Sequence, residues 1–258
     1  IAAAILKEPV PIEPHLPGYH IRELGTSDEI ARAAEMINRA RRPLIYAGQG
    51  VILSRGHEAL RRVAEAGEIP VTTTLQGLGG FDENSPLSMH MLGMHGSAYA
   101  NYAMQAADCI VAVGARFDDR VTGVLPKFAP EARKADREGR GGIIHFDIAA
   151  EQIGKNIPAT LGILGDARKN LEALAPLIEK RDRRDWLDQL AAWKKRYPFR
   201  YRADDRKGHM KPQHVIDELY RQTGGEATIV TGVGQHQMWA AQFYNYRHPR
   251  QFITSGGL

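Results

Sequence analysis

The sequence has a single cysteine, Cys109, so no disulfide can form within it. That residue sits in the apolar run Asp108-Cys109-Ile110-Val111-Ala112-Val113, where a buried structural thiol is the default and a reducing compartment fits. No apolar run approaches the roughly 20 residues of a bilayer-spanning helix, so no membrane partner is expected. The opening IAAAILKEPVPIEPHLPGYH has neither the apolar length of a signal peptide nor the arginines of a transit peptide. It reads as a proline-rich connector arriving from another segment, as in a fragment or a processed form. No histidine or cysteine spacing resembles a zinc site, and neither a G-x-S-x-G elbow nor a Walker loop occurs. A strong charge of one sign is also missing: 34 basic residues face 30 acidic ones, a net charge of +4. Clusters such as Arg181-Asp182-Arg183-Arg184 and Lys194-Lys195-Arg196 read as solvated helix faces, and no nucleic-acid partner is expected. A mild positive balance suits small anions such as phosphates and carboxylates.

What the sequence does have is a repeating strand–helix pattern. With 258 residues, 43% of them hydrophobic, it can build one large domain or two modest ones. Thr26 and Glu29 form a capping box ahead of a helix that carries Ile30, Ala33, Ala34 and Ile37 on one stripe. Strands are expected at Leu44–Ala47, Ile69–Thr73, Cys109–Val113, Ile143–Phe146 and Leu161–Leu164. Helices are expected between them, one capped by Ser97, one ending at Gly67 and one running from Asp166 to about Lys180. Continuous apolar strands alternating with helices argue for an α/β fold, a doubly wound parallel sheet covered on both faces. In such sheets ligands bind at the carboxyl ends of the strands. The polar and glycine-rich segments fall there: Gly48-Gln49-Gly50, Thr73-Thr74-Leu75-Gln76, Gly114-Ala115-Arg116, Asp147 and Gly165-Asp166. A nucleotide-like ligand lying across the sheet edge is the expectation.

A second unit is expected from about residue 181. It has a helix with Trp186, Leu187, Leu190 and Trp193 inward, a helix started by Pro212, and strands at Thr228–Thr231 and Gln251–Thr254. Two strands and three helices make a poor independent core, so this unit reads as an incomplete α/β domain, and a longer natural polypeptide is expected. The expected division is a linker over 1–25, a central domain over 26–180 and an unfinished domain over 181–258.

Several motifs allow two readings. Gly48-Gln49-Gly50 could present amides to phosphate or simply make a tight strand-to-helix turn. Asp147 could accept ribose hydroxyls or cap the segment near Ala149, and Asp166 is equally good as a helix N-cap. Arg116, Asp118, Asp119 and Arg120 could meet anionic ligands or pair among themselves. Val233-Gly234-Gln235-His236, between a strand and a helix, could point amides at phosphate or only close a turn.

Taken together, VTTTLQGLG (71–79), LGMHGSAYANYA (92–103), GARFDDRVTG (114–123), KFAPEAR (127–133), GRGGIIHFDI (139–148), TGVGQHQMWAAQ (231–242) and FITSGGL (252–258) resemble the acetohydroxyacid (acetolactate) synthases. These are thiamine-diphosphate enzymes with a pyrimidine-binding domain, a central FAD-binding domain and a diphosphate-binding domain. The resemblance implies that this chain holds the central domain and the start of the third. It implies FAD along Gly48, Gln49, Gly50, Thr73, Thr74, Leu75, Gly93, Met94, His95, Gly114, Ala115, Arg116, Asp118, Arg120, Val121, Asp147, Ile148, Gly165, Asp166 and Ala167. Gln237 and Met238 would touch the flavin. The thiamine diphosphate tail would meet Val233, Gly234, Gln235 and His236, and Met94, Asp119 and Arg120 would line the substrate channel. Asp147 stands where some relatives have glutamate. The glutamate that activates the thiamine ring would lie before Ile1 and the Mg2+ ligands beyond Leu258, so no metal ligand and no complete catalytic set is expected within the chain.

The implied reaction condenses two pyruvates, or pyruvate and 2-oxobutyrate, with loss of CO2, toward the branched-chain amino acids valine and isoleucine; this chain alone would be inactive. A homo-oligomer with a regulatory subunit is implied. The insertion before IIHFDI is most like fungal members, which work in mitochondria; a bacterial source would mean the cytoplasm. A flavin- or NAD-binding oxidoreductase domain and a non-catalytic nucleotide-binding module remain as alternatives.

Overall fold

The structure, a computed structural model, describes residues 22–203 and 208–256. Most of the expected 1–25 connector lies outside the described residues. Six strands build the main sheet: β1 (Pro43–Ala47), β2 (Val71–Thr73), β3 (Ser88–Met91), β4 (Cys109–Val113), β5 (Gly142–Asp147) and β6 (Leu161–Leu164). All are parallel, in the order β3-β2-β1-β4-β5-β6. The chain runs outward from β1 to β3, then returns to lay β4 on the other side of β1. The loops leaving β1 and β4 therefore diverge, which opens a crevice at the carboxyl ends.

The strands read as unbroken apolar runs because helices cover both faces. On one face, Ile45, Val111, Val113, Ile144 and Phe146 pack against α1 (Ser27–Arg39), α3 (His57–Gly67) and α7 (Ala167–Leu174). The intervening residues Leu44, Tyr46, Ile110, Ala112 and Ile143 pack on the other face against α4 (Ala98–Ala106), α6 (Pro130–Arg137) and α8 (Arg184–Arg196). Strict alternation between two cores is the signature of a sheet buried on both sides. Two short helices, α2 (Gln49–Leu53) and α5 (Asp119–Thr122), sit in the loops after β1 and β4. The capping box of Thr26 and Glu29 is present, Ser97 accepts from the Ala100 amide, and Cys109 is buried with its thiol pushed upward by burial.

Some local readings change. The left-handed residue that ends α3 is Glu68 (φ 50°) and not Gly67. Gly67 is required by packing, since a Cβ there would stand 2.8 Å from the Ile69 side chain and 2.9 Å from that of Ile178. α7 stops at Leu174, and a 3-10 turn containing Pro176 replaces the expected run toward Lys180. Strand β3 was not expected at all.

The tryptophan helix α8 packs on the first sheet. Trp186 and Leu190 lie in its core, and Trp186 Nε1 donates to Pro43 O at 3.0 Å. The smaller unit then consists of α9 (Pro212–Gln222), β7 (Ile229–Thr231), α10 (Gln235–Phe243) and β8 (Phe252–Thr254), with β7 and β8 parallel. Its core of Ile229, Ala240, Ala241, Tyr244, Tyr246 and Phe252 includes Leu78 and Met91 from the larger unit. Across this seam Glu83 N donates to Tyr246 O at 3.0 Å and Tyr246 N to Glu83 Oε2 at 2.8 Å.

Candidate functional site

A cleft of about 1140 Å3 runs along the carboxyl edge of the six-stranded sheet. Its walls come from the loop after every strand, from Leu92 and Met94 beyond β3 to Asp166 and Ala167 beyond β6, and from Met238, Thr254 and Gly256 of the smaller unit. A groove touching all six strand ends suits an elongated ligand better than a compact one.

The glycines at the crevice mark close approach of backbones. A Cβ at Gly48 would stand 2.0 Å from Gly114 O, and one at Gly50 would stand 2.6 Å from Gly114 Cα. Gly48 N donates to Val113 O, Gly50 N to Gly114 O, Gly114 N to Phe146 O and Gly165 N to Asp147 O. These amides are therefore already bonded within the chain. Gly48 and Gly50 thus make the tight strand-to-helix turn, and a ligand anion would also meet positive charge from side chains. Arg116 and Arg120 supply it.

The charged cluster after β4 is laid out by alternation. Ala115 and Phe117 turn inward and are buried, whereas Arg116, Asp118, Asp119 and Arg120 point out and are exposed. Solvation removes the penalty that four buried charges would carry. Arg116 pairs with Asp118 at 3.3 Å, the one ion pair of the cluster among the described residues. Arg120 O accepts from Met94 N at 2.7 Å, which ties the loop after β3 to α5 and sets Met94, Asp119 and Arg120 along one wall.

Asp147 ends β5, nearly buried, with Oδ1 accepting from Ala149 N at 2.9 Å. Its turn-capping role is thus real, and it also lines the cleft. Asp166 likewise caps α7, accepting from Lys169 N at 3.0 Å, while lining the cleft. Neither expected pair of readings is exclusive, because each carboxylate has a second oxygen. Behind Asp147, His145 is fully buried, and burial holds its imidazole below the usual histidine range despite the opposing pull of Asp147 and Ala115 O. Exposed Leu53, Met94 and Ile148 give the cleft apolar surface at intervals.

Of the residues expected along a flavin, Gly48, Gln49, Gly50, Thr74, Leu75, Met94, His95, Gly114, Ala115, Arg116, Asp118, Arg120, Val121, Asp147, Ile148, Asp166, Ala167 and Met238 line this one cleft. Thr73, Gly93, Gly165 and Gln237 do not. Gly93 packs against Arg120 O and has its amide bonded to Asn101 Oδ1, and Gly165 packs against Glu23 O. Gln237 is buried, its amide donating to Thr254 Oγ1 and Ser255 O, so it braces α10 against β8. Thr73 is buried with its hydroxyl lacking a partner among the described residues. Gln76, expected at the ligand edge, also lines the cleft, as do Leu53, Ser54, Met91, Leu92, Ala149, Gln152, Thr254 and Gly256, which were not expected there. Several neighbour an expected residue in the chain, which was the available signal. Val233, Gly234, Gln235 and His236 form the β7–α10 turn, apart from the cleft, with Gln235 and His236 exposed.

Comparison with known proteins agrees with this architecture. The family description "Thiamine pyrophosphate enzyme, central domain" matches residues 30–174, more than half of the chain. A protein of Aspergillus candidus named acetolactate synthase catalytic subunit, mitochondrial, is 50% identical over 275 residues, covering 100% of this chain and 40% of its own length. Its counterpart of the same name in Saccharomyces cerevisiae is 47% identical, covering 100% of this chain and 39% of its own length. A probable acetolactate synthase large subunit of Methanocaldococcus jannaschii is 42% identical, covering 98% and 43%. The chain thus spans about two fifths of the length of these relatives. With a six-stranded doubly wound sheet and a match across its central region, the chain belongs to the thiamine pyrophosphate enzymes, carries their central domain, and is homologous to acetolactate synthase catalytic subunits.

Proposed function

We propose that this chain is the flavin-holding part of a thiamine-diphosphate-dependent acetolactate synthase, which condenses two pyruvates, or pyruvate and 2-oxobutyrate, with release of CO2. The observation that carries the reading is the single cleft spanning all six strand ends and reaching the smaller unit. FAD fits what is present. The groove is long, Asp147 offers a free carboxylate oxygen to ribose hydroxyls, Arg116 and Arg120 offer cations to the pyrophosphate, and Leu53, Met94 and Ile148 offer apolar contact to the rings. Met238 extends that contact from α10. In this reaction the flavin would supply no net oxidation or reduction and would serve to brace the site.

The thiamine diphosphate tail would lie at Val233, Gly234, Gln235 and His236, at the start of α10, and thiamine diphosphate would supply the electron sink for decarboxylation. Arg120 would attract the pyruvate carboxylate, with Met94 and Asp119 shaping the approach. Mg2+ ligands would come from outside this chain. The expected boundary near residue 181 would move to after α8 in this reading, which the packing of Trp186 and Leu190 in the core of the first sheet supports. The names of the fungal relatives favour a mitochondrial location and, with the word "subunit", an assembly of several copies with a regulatory partner.

The polypeptide extended to the length of its relatives, incubated with pyruvate, thiamine diphosphate and Mg2+, should hold stoichiometric FAD and form acetolactate without bleaching the flavin. Flavin-replete protein that forms no acetolactate would remove the synthase assignment. Bleaching of the flavin by substrate would favour an oxidoreductase.

A further inference from the structure

We propose that His145 is a positioning residue that fixes two walls of the cleft against each other in the geometry FAD needs; the inference rests on the flavin reading above. Its neighbours Ile143, Ile144 and Phe146 are all apolar and buried, and an imidazole in such a strand is unfavourable unless its nitrogens are bonded. Both nitrogens have partners. His145 Nε2 lies 2.9 Å from Ala115 O and must donate to it, since a carbonyl only accepts. Nδ1 is thereby left as the acceptor for the Gly154 amide, at 3.5 Å. Phe117 meets the ring edge-on at 5.3 Å, and Asp147 Oδ2 stands 3.9 Å from Nε2.

The consequence is a link between adjacent loops. Ala115 lies between Gly114 and Arg116, which form one wall of the cleft, while Asp147 and Ile148 form the next. Asn156 reinforces the link from the same side, donating to Arg116 O at 3.1 Å and Phe117 O at 3.0 Å. His145 touches no cleft surface itself. It acts by holding the carbonyl that orients Arg116 at a fixed distance from the strand that carries Asp147.

Two matched substitutions separate positioning from mere packing. In H145Q the side-chain amide reaches the place of Nε2 and can still donate to Ala115 O; in H145N it is one carbon too short. Both are polar and smaller than histidine. In the extended polypeptide, FAD affinity would be measured by fluorescence quenching, beside thermal unfolding of the flavin-free protein. The expected result, at a temperature where both flavin-free variants are fully folded, is an affinity loss of about tenfold in H145N, recovered to within about threefold in H145Q. Equal affinities in the two fully folded variants would overturn the role. Wild-type protein that binds no FAD would instead remove the flavin reading itself.

Discussion

At the scale of single residues, Glu83 and Asp147 show how a buried carboxyl is handled in two ways. Glu83 is buried at the seam between the units, and one oxygen accepts from the Tyr246 amide while the other has no partner among the described residues. Burial pushes its pKa up to about 8, against the pull of that amide and with some help from Asp82. An unfolded chain would release this proton near 4.5, so between about 4.5 and about 8 the folded state binds a proton that the unfolded state lacks. The sign follows directly: this contribution is fully present below 4.5 and is lost as pH rises toward 8. E83Q is neutral at every pH. Its melting temperature is therefore expected to match wild type near pH 4.5 and to exceed it near pH 8, by about 2–4 °C for each kcal/mol recovered. Differential scanning calorimetry across that range decides it, and parallel curves would sink the account. Asp147 is the other case, a buried side chain that ends β5 and lines the cleft, with Oδ1 on the Ala149 amide and Oδ2 3.9 Å from His145 Nε2. D147N keeps the size and an acceptor but removes the charge. It is expected to weaken FAD by about three- to tenfold, whereas D147A, which also frees the Ala149 amide, should lose more than tenfold; flavin titration reads both.

At the scale of elements, the most concentrated stabilising device is Arg183, which joins the ends of two helices. Arg183 is 4% exposed, and its guanidinium donates to Ile37 O at 2.9 Å, Ala40 O at 3.3 Å and Gly67 O at 2.7 Å. The first two carbonyls belong to the end of α1 and the third to the end of α3, where the helix dipoles favour a cation. R183Q is expected to lower stability by about 2–4 kcal/mol, read as a shift of the urea midpoint at constant slope. R183K should recover only part, because one ammonium cannot spread over three carbonyls on two helices. This role was hidden in the sequence, where Arg181-Asp182-Arg183-Arg184 looks like a solvated charge run. β1, β4, β5 and β6 were legible because burial on both faces demands unbroken apolar runs. β3 was not, because Ser88-Met89-His90-Met91 has no β-branched residue and owes its extended form to pairing with β2, across a register shift. The helix stripe of α8 was legible too, but spacing does not say which sheet a stripe meets. The cleft loops could be placed because parallel sheets put their ligand loops at one edge. That Gly48, Gly50 and Gly114 serve backbone contact could be settled only by the approach of two loops distant in sequence.

At the scale of the whole molecule, the two units share a core instead of owning one each. The smaller unit has two strands, β7 and β8, and of their outward side chains Val230 is 70% exposed and Ile253 49%. On the inner side, Leu78 and Met91 from the larger unit complete the cluster around Tyr244, Tyr246 and Phe252. The cleft depends on this arrangement, since Met238, Thr254 and Gly256 can wall it only while α10 and β8 stay seated. Further ties point the same way: Gln242 Nε2 donates to His95 O at 2.7 Å and Gln76 Nε2 to Thr254 O at 2.9 Å. Truncating Leu78 removes buried apolar surface from the cluster that seats the smaller unit, at a cost of about 2–5 kcal/mol. The larger sheet keeps both of its own cores, so the loss is expected to be local. In L78A, hydrogen exchange should quicken at the amides of β7 and α10 while those of β1 and β4 keep their wild-type protection. FAD should dissociate faster in the same variant, because one wall of its groove is released. Uniform acceleration across both units would mean that they unfold as one body, and unchanged exchange in β7 would mean that the smaller unit does not lean on the larger for its core.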